Sequence, residues 1–416
     1  MKLRPIYLLI LLGATLMLCA GQVEPESQTV QTTSSVELVF QCSDPIEIIG
    51  EIPVPPPGSV VTVTTFANAI NGVGQVVGYW SEEIDDNITI DVSNKAYVSE
   101  NGNDFTFIGN DNSQARGIDG SVVVGFLKGS NSLLAFYYSL NSQGDPVYIN
   151  DDRVAAYIAN DIFNDKGEIN LIGYSIDFSN AIQKAYIYNS NDGSIALDTP
   201  FISDAKAINN KKIIVGNYST EEHSNFPHAF AYNRERTPSL IDLGNLSAYA
   251  PYKSFAFDIN DQNIVVGATE ISDTNELRAF WFDTDAPLYS AQMEVMDCIT
   301  GTTGTFCPVE ALAINNTDFI VGSGSYSPEP QSGDEAFLYD KNNDALFNLN
   351  DLIDDASWHL EEATDINDSG WIVGNGTRNG QGRAFKLHCG YTVNGATDAV
   401  YLPVVLRDYA PVAGVE

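Results

Sequence analysis

Hydrophobic and polar positions along the chain fall into short runs with period two, such as Arg278-Ala279-Phe280-Trp281-Phe282, separated by clusters of Gly, Asn, Asp and Ser. That alternation predicts half-buried strands joined by tight turns, not helices. The runs also recur in a fixed order. An alanine-rich apolar segment leads to Ile-Asn, a polar turn follows, and an aliphatic pair then ends in glycine. Four copies keep one spacing: Ala207-Ile208-Asn209 to Gly216, Asp258-Ile259-Asn260 to Gly267, Ala313-Ile314-Asn315 to Gly322, and Asp365-Ile366-Asn367 to Gly374. Ala69-Ile70-Asn71 to Gly78 keeps it too. Ile118-Asp119 to Gly125 is one residue shorter, and Asn164 to Gly173 is two longer.

Each glycine is followed, after a loop of variable length, by alanine and an aromatic residue: Ala96-Tyr97, Ala135-Phe136, Ala185-Tyr186, Ala229-Phe230, Ala279-Phe280, Ala336-Phe337 and Ala384-Phe385. Successive glycines stand 43 to 55 residues apart, with the variation in the loops. Asn-Asp-Lys-Gly at 164–167 and Asn-Asp-Ser-Gly at 367–370 suit hairpin turns, since Asn and Gly tolerate positive φ. Strands one and two of each repeat therefore pair, the Ala-aromatic run supplies a third, and runs such as Ser239-Leu240-Ile241-Asp242-Leu243 supply a fourth. Four antiparallel strands in just under 50 residues are the length of a propeller blade, so the fold class expected is all-β, a seven-bladed β-propeller. The repeated Ile-Asn, Val-Gly and Ala-aromatic positions read as packing positions, not as a site. Ala-Ile-Asn-Asn, Ile-Ile-Val-Gly-Asn-Tyr-Ser and Pro-His-Ala-Phe-Ala-Tyr within 207–232 resemble the HAF-type extracellular repeat, over about residues 66 to 387. The resemblance implies an exported repeat protein of largely unassigned activity. Other copies carry Lys95, Leu134, Lys184, Arg278, Glu335 and Arg383 where His228 stands, so the histidine is not a shared catalytic group.

A circular array must join its first and last blades. Residues 36–42 and 60–65 read as strands ahead of the repeats, 399–407 as one after them, and one of the N-terminal pair is expected to enter the seventh blade. The organisation expected is an export signal at 1–21, a polar linker at 22–35, closing strands at 36–65, the propeller at 66–409 and a tail at 410–416. The export signal rests on Lys2 and Arg4 ahead of an apolar run at 6–18 that is too short to span a membrane. Leu16-Met17-Leu18-Cys19 approximates a bacterial lipobox, although Leu18 is larger than that pattern wants, so a lipid anchor at Cys19 stands as the alternative to free secretion. Four cysteines remain, and in an oxidising compartment they predict two disulfides, Cys298–Cys307 and Cys42–Cys389.

The net charge of −35 repels phosphate backbones and argues against nucleic acid as a partner. No nucleophile elbow, zinc-protease motif, phosphate loop or dinucleotide fingerprint occurs, and four histidines offer few general bases. No cofactor is expected, with calcium as the alternative: Glu82, Asp85 and Asp86 lie in the densest acidic stretch, and hard cations take several oxygen ligands. Aromatic residues just after the repeat glycine, namely Tyr79, Trp80, Phe126, Tyr174 and Tyr218, would stack on a ligand if they shared one face. The function expected is a secreted or cell-surface, non-catalytic bacterial propeller that binds a glycan, a surface protein or a matrix component. The alternative is a secreted polysaccharide hydrolase or lyase with carboxylates at the funnel.

Overall fold

The computed structural model describes residues 38–393, except 51–58 and the loop positions 87–88, 103, 130–131, 143, 150–153, 166–167, 178–181, 200–201, 220–225, 245–251, 272–275, 287–291, 302–303 and 328–333. The export signal, the lipobox and the strand expected at 399–407 lie outside the described residues. Two compact units are distinguished: Cys42–His388 form one, and the chain on either side forms the other.

Two short strands come first, β1 (Leu38–Cys42) and β2 (Ile46–Ile48). Blade 1 is β3 (Val60–Ile70), β4 (Val76–Asp85), β5 (Ile90–Ser99) and β6 (Thr106–Ile108). Blade 2 is β7 (Ser113–Asp119), β8 (Val122–Lys128), β9 (Leu133–Ser139) and β10 (Val147–Ile149). Blade 3 is β11 (Val154–Asp165), β12 (Glu168–Asp177), β13 (Gln183–Asn189) and β14 (Gly193–Ala196). Blade 4 is β15 (Ile202–Ile208), β16 (Ile214–Ser219), β17 (His228–Tyr232) and β18 (Leu240–Gly244). Blade 5 is β19 (Ser254–Ile259), β20 (Ile264–Glu270), β21 (Leu277–Asp283) and β22 (Glu294–Val295). Blade 6 is β24 (Thr305–Ile314), β25 (Phe319–Ser327), β26 (Glu335–Asp340) and β27 (Ala345–Asn348), with β23 (Ile299–Thr300) added beside β24. Blade 7 is β28 (Trp358–Ile366), β29 (Trp371–Arg378) and β30 (Gln381–Val393). Seven antiparallel blades thus form the propeller, and a 3-10 turn, Leu349–Asp351, leads from blade 6 towards blade 7.

The fourth strand of blade 7 comes from the start of the chain. In β2, Ile46, Glu47 and Ile48 pair antiparallel with Lys386, Phe385 and Ala384 of β30. Of the two N-terminal strands expected from sequence, 60–65 instead begins the inner strand of blade 1. The other contributes β1, which is hydrogen bonded to β30. In the smaller unit Thr392 Oγ1 donates to Val39 O at 3.2 Å, and Phe40 meets Tyr391 edge-on at 5.1 Å.

Cores lie between neighbouring blades, and the Ala-aromatic phrase builds them. Ala185 of blade 3 clusters with Phe230 of blade 4, Ala229 with Phe280 of blade 5, Ala279 with Phe337 of blade 6, and Ala384 with Tyr97 across the closing interface. Alanine leaves room on one sheet for the ring of the next. The seven alanines are fully buried, and so are their seven aromatic partners. Each ring removes a large apolar area from water, which accounts for most of the packing energy.

Every inner strand carries a β-bulge at one place: Ala67/Ala69, Ala115/Gly117, Ala159/Asp161, Ala205/Ala207, Ala256/Asp258, Ala311/Ala313 and Ala363/Asp365. The bulge explains the repeat glycine. A Cβ at Gly78, Gly125, Gly216, Gly267, Gly322 or Gly374 would overlap the carbonyl oxygen of Phe66, Gln114, Asp204, Phe255, Glu310 or Glu362, which the bulge pushes across the ladder.

Cys298 and Cys307 are joined, as expected, with 4.3 Å between their Cα atoms. Cys42 and Cys389 are each disulfide-bonded, the state that the expected bridge between them requires.

Candidate functional site

The seven inner strands bring their Ile-Asn hairpins to one end of the propeller axis, around a depression of about 230 Å³. Asparagine does two things there. Its side-chain oxygen caps its own hairpin, as Asn260 Oδ1 does for the amides of Gln262 and Ile264, both at 3.0 Å. Its amide group donates to the next blade: Asn209 to Asn260 O, Asn260 to Asn315 O, Asn315 to Asn367 O, and Asn367 to Asn71 O, at 2.9 to 3.1 Å. Asn71 continues the chain to Gly120 O at 2.7 Å. The two degenerate hairpins are bridged differently, Asp119 Oδ2 accepting from Asn164 N at 2.7 Å.

A second set of staples uses aspartate. Asp161, Asp258 and Asp365 precede isoleucine in blades 3, 5 and 7, where blades 1, 4 and 6 have alanine and blade 2 has Gly117. One carboxylate oxygen of each caps its own strand at 2.7 Å. The other accepts from the next blade: from Ile208 N at 3.0 Å, Ile314 N at 2.8 Å and Ile70 N at 2.8 Å. Removal from water pushes the Asp161 carboxyl up to about 7 and that of Asp258 to about 6. Asp365 is raised well above the usual carboxylate range, by burial and by the charges of Asp258 and Asp161. These residues therefore combine shifted carboxyls with a structural task, and their oxygens are occupied by backbone N–H groups.

The five aromatic residues that would stack on a ligand if they shared one face are divided between two. Neighbouring strand residues point to opposite sides of a sheet, so Tyr79, Phe126 and Tyr174, one place after the glycine, face one way, and Trp80 and Tyr218, two places after it, face the other. Trp80 is 3% exposed, in the core between blades 7 and 1, edge-on to Phe105 at 5.8 Å. Phe126 is 9% exposed beneath the Arg116 guanidinium. Tyr79 stacks on Phe66 at 4.4 Å. Burial raises the phenols of Tyr79 and Tyr174, and the charge of Arg116 acts on both in the opposite sense. Tyr218 stands apart, against His228 and Phe230, and burial and the nearby Asp242 carboxylate raise its phenol. His228 Nδ1 lies 3.1 Å from the same carboxylate, which raises the imidazole.

The acidic stretch with Glu82, Asp85 and Asp86 is not a loop. Glu82 pairs with Ser93 and Asp85 with Ile90 in the long β4–β5 hairpin, so Glu82 and Asp85 point to opposite faces, and Asp86 Oδ1 takes the Thr89 amide at 2.6 Å in the turn. Among the described residues no group of three or more His, Cys, Asp or Glu side chains is placed to hold a metal ion.

A second concavity, about 410 Å³, lies where blade 6 passes into blade 7. Its floor is a buried polar network. Asn350 Nδ2 donates to Glu335 Oε2 at 2.7 Å and to Leu360 O at 2.8 Å, and Asn350 Oδ1 accepts from Leu360 N at 2.8 Å. Asn348 Nδ2 donates to the same Glu335 oxygen at 3.2 Å and to Tyr326 Oη at 3.4 Å. Trp358 is 6% exposed and lines the cleft, and its Nε1 is buried with no hydrogen-bond partner among the described residues. Asp351, Asp354 and Asp355 form the rim, in a turn held by Asp44 Oδ1, which accepts from Asp354 N at 3.0 Å and Asp355 N at 3.2 Å. Sequence reasoning passed over this cleft. Two signals were available: Glu335 where other repeats carry a basic, apolar or imidazole side chain, and Asn348 inside the apolar run Ala-Leu-Phe-Asn-Leu.

Among solved structures, the chain is similar to the β-propeller domain of the trilobed protease from Pyrococcus furiosus, at 11% identity and a TM-score of 0.48, covering 80% of this chain and 96% of that one. It is similar to TolB from Acinetobacter baumannii at 10% identity and a TM-score of 0.37, covering 79% and 80%. It is also similar to the GH32 β-fructofuranosidase BmSUC1 of Bombyx mori, a mutant form in complex with sucrose, at 8% identity and a TM-score of 0.24, covering 83% and 93%. At such identities the likeness concerns fold alone. No curated protein matches the sequence. Residues 241–407, less than half of the chain, match the profile of a family described as a protein of unknown function (DUF3466), to which blades 5 to 7 are therefore similar.

Proposed function

We propose that this protein is an exported, non-catalytic binding propeller, which presents a ligand-binding surface on a rigid ring. One observation carries the reading. The carboxylates with the most strongly shifted protonation, Asp161, Asp258 and Asp365, are each bonded to two backbone amides, one of them on the next blade. A glycosidase needs one carboxyl free to protonate a leaving group and another free to attack or to activate water. Here those oxygens are engaged in joining blades. The disulfides are consistent with an oxidising compartment, and no helix among the described residues is long and apolar enough to cross a membrane.

The test is to incubate the mature protein with immobilised glycans and with matrix and surface proteins, with and without calcium, while assaying the supernatant for released sugar. Saturable binding without release is the expected result. Release of reducing or unsaturated sugar ends, abolished by substituting carboxylates, would establish the hydrolase or lyase instead.

A further inference from the structure

We propose that the outer edge of the blade 1 hairpin, at Ile90–Ser93 of β5, takes an extended, lysine- or arginine-bearing segment of a partner protein as an added β-strand. The proposal rests on the binding reading above and names the partner class and its place. β5 runs for 10 residues beside β4 without a register shift, but β6 covers its outer side only at Ala96–Val98. Ala96 N donates outward to Ser113 Oγ, and Asn94 O accepts from Asn112 N, so the even-numbered residues of β5 turn their main-chain groups away from β4. By the two-residue period of a strand, Ile90 and Val92 do the same, each with an N–H and a C=O. Among the described residues no strand meets them. A row of open main-chain groups is a template for another strand.

The side chains at this edge set what the added strand must be. Ile90 and Val92 are 65% and 50% exposed, and Val60, in the same cross-strand row as Ile90, is 63% exposed. Asp85 stands between Val60 and Ile90 in that row, and Glu83 between Thr62 and Val92 in the next. A long basic side chain lying across Ile90 or Val92 therefore buries its methylenes and carries its charge to a carboxylate. Asp91 offers the same on the opposite face, and Glu82 and Asp86 complete the acidic surround. The bases nearby do not cancel it. Lys95 is paired with Asp111 at 3.2 Å, and Arg383, which reaches Val63 O on the inner edge, is held by Glu47 at 2.9 Å. Lys128, whose amide bonds Asn112, lies towards the base of the hairpin. Exposed ion pairs contribute little each, so main-chain bonds and apolar burial supply the affinity, and charge selects the partner. A second copy is the partner that this charge excludes, because its own edge would bring Glu83, Asp85 and Asp91 against the same residues in a protein of net charge −35. A glycan has no strand to add.

The experiment is fluorescence polarisation of a labelled peptide of alternating Lys and Val titrated with the mature protein. Two comparison peptides keep its length: one has Glu in place of Lys, and the other is methylated at every backbone nitrogen, which keeps charge and side chains but removes the N–H groups. Saturable binding of the Lys-Val peptide is expected, weakened at least about 10-fold by methylation and absent with Glu. Val92→Pro removes an outward N–H and no bond to β4, and should weaken binding about 10-fold. Glu83→Gln together with Asp85→Asn should weaken it about 3- to 10-fold and flatten its dependence on salt. The methylated peptide needs no variant, so a folding defect in Val92→Pro leaves the test intact. The proposal is overturned if the Lys-Val peptide does not bind, if the methylated peptide binds as tightly, or if both variants leave the affinity unchanged. It is also overturned if sedimentation shows the wild type pairing with itself and Val92→Pro abolishes the pairing, since a second copy then occupies the edge. Failure of the peptide while immobilised glycans or matrix proteins still bind overturns the edge and keeps the binding function; failure of all of them overturns both.

Discussion

At the residue scale the axial aspartates give the protein an unusual pH dependence. Most structural carboxylates are lowered by folding and stabilise a protein as pH rises. Asp161, Asp258 and Asp365 are raised, so in the window between the ordinary carboxylate range and about 7 the folded state holds protons that the unfolded chain has released. The contribution of these groups to stability is therefore fully present at acid pH and is lost as pH climbs through roughly 4 to 7. All three residues are half-buried, not fully enclosed, so solvent screening reduces the size of the effect without changing its sign. In Asp161→Asn the slope of melting temperature against pH over that window should flatten. Absolute stability should also fall, by about 1–3 kcal/mol, because an amide offers one acceptor oxygen to the Ile162 and Ile208 amides in place of two. An unchanged slope would mean that the three carboxyls titrate normally.

At the scale of the element, the bulge in each inner strand is the unit of construction. It inserts one residue, and in blades 1, 3 and 7 that residue reaches the neighbouring blade: Asn68 Nδ2 donates to Ala115 O at 2.6 Å, Asn160 Nδ2 to Ala205 O at 2.7 Å, and Thr364 Oγ1 to Ala67 O at 2.9 Å. The same insertion drives a carbonyl into the place where the second strand would carry a side chain, hence glycine. Gly267→Ala should cost at least about 2–3 kcal/mol in chemical denaturation, since its Cβ would meet the Phe255 carbonyl and the Phe280 ring. Gly72→Ala, with nothing within 4 Å of the new methyl, is the control and should be nearly neutral. Equal effects would separate the glycine from the bulge.

For the whole molecule, closure of the ring is the problem, and the structure meets it with three residues of strand and a cluster of charges. Ile48 is fully buried in the core between blades 7 and 1, while Glu47 bridges Arg378 at 2.7 Å and Arg383 at 2.9 Å. Arg383 is 6% exposed and donates also to Val63 O of blade 1. Glu47→Gln leaves a buried guanidinium without its counter-charge and should lower stability by about 2 kcal/mol. The disulfides test closure from another side. Loop-closure entropy assigns Cys298–Cys307 about 2–3 kcal/mol, and a bridge from Cys42 to Cys389 about 6 kcal/mol as an upper estimate. Cys42→Ser should therefore lower the melting temperature further than Cys298→Ser, and non-reducing peptide mapping should recover Cys42 joined to Cys389.

Repeat number, strand pairing, the Ala-aromatic cores and the Cys298–Cys307 bridge were all legible in the chain, because each is written in spacings of a few residues that recur seven times or in a single short loop. The division of Tyr79, Phe126 and Tyr174 from Trp80 and Tyr218 was legible too, through the two-residue period of a strand, although the pattern had pooled them. Three things were decided only by tertiary structure. Ile46–Ile48 is too short and too close to Pro45 to announce itself, and becomes a strand because blade 7 offers an unpaired edge. Asp161, Asp258 and Asp365 look like ordinary turn-flanking acids until the ring sets each beside the open amide of the next blade. The cleft joins Tyr326, Glu335, Asn348 and Trp358 from four strands on two blades, and no local pattern can signal a hydrogen-bonding deficit at Trp358 Nε1 that exists only once those strands have packed around it.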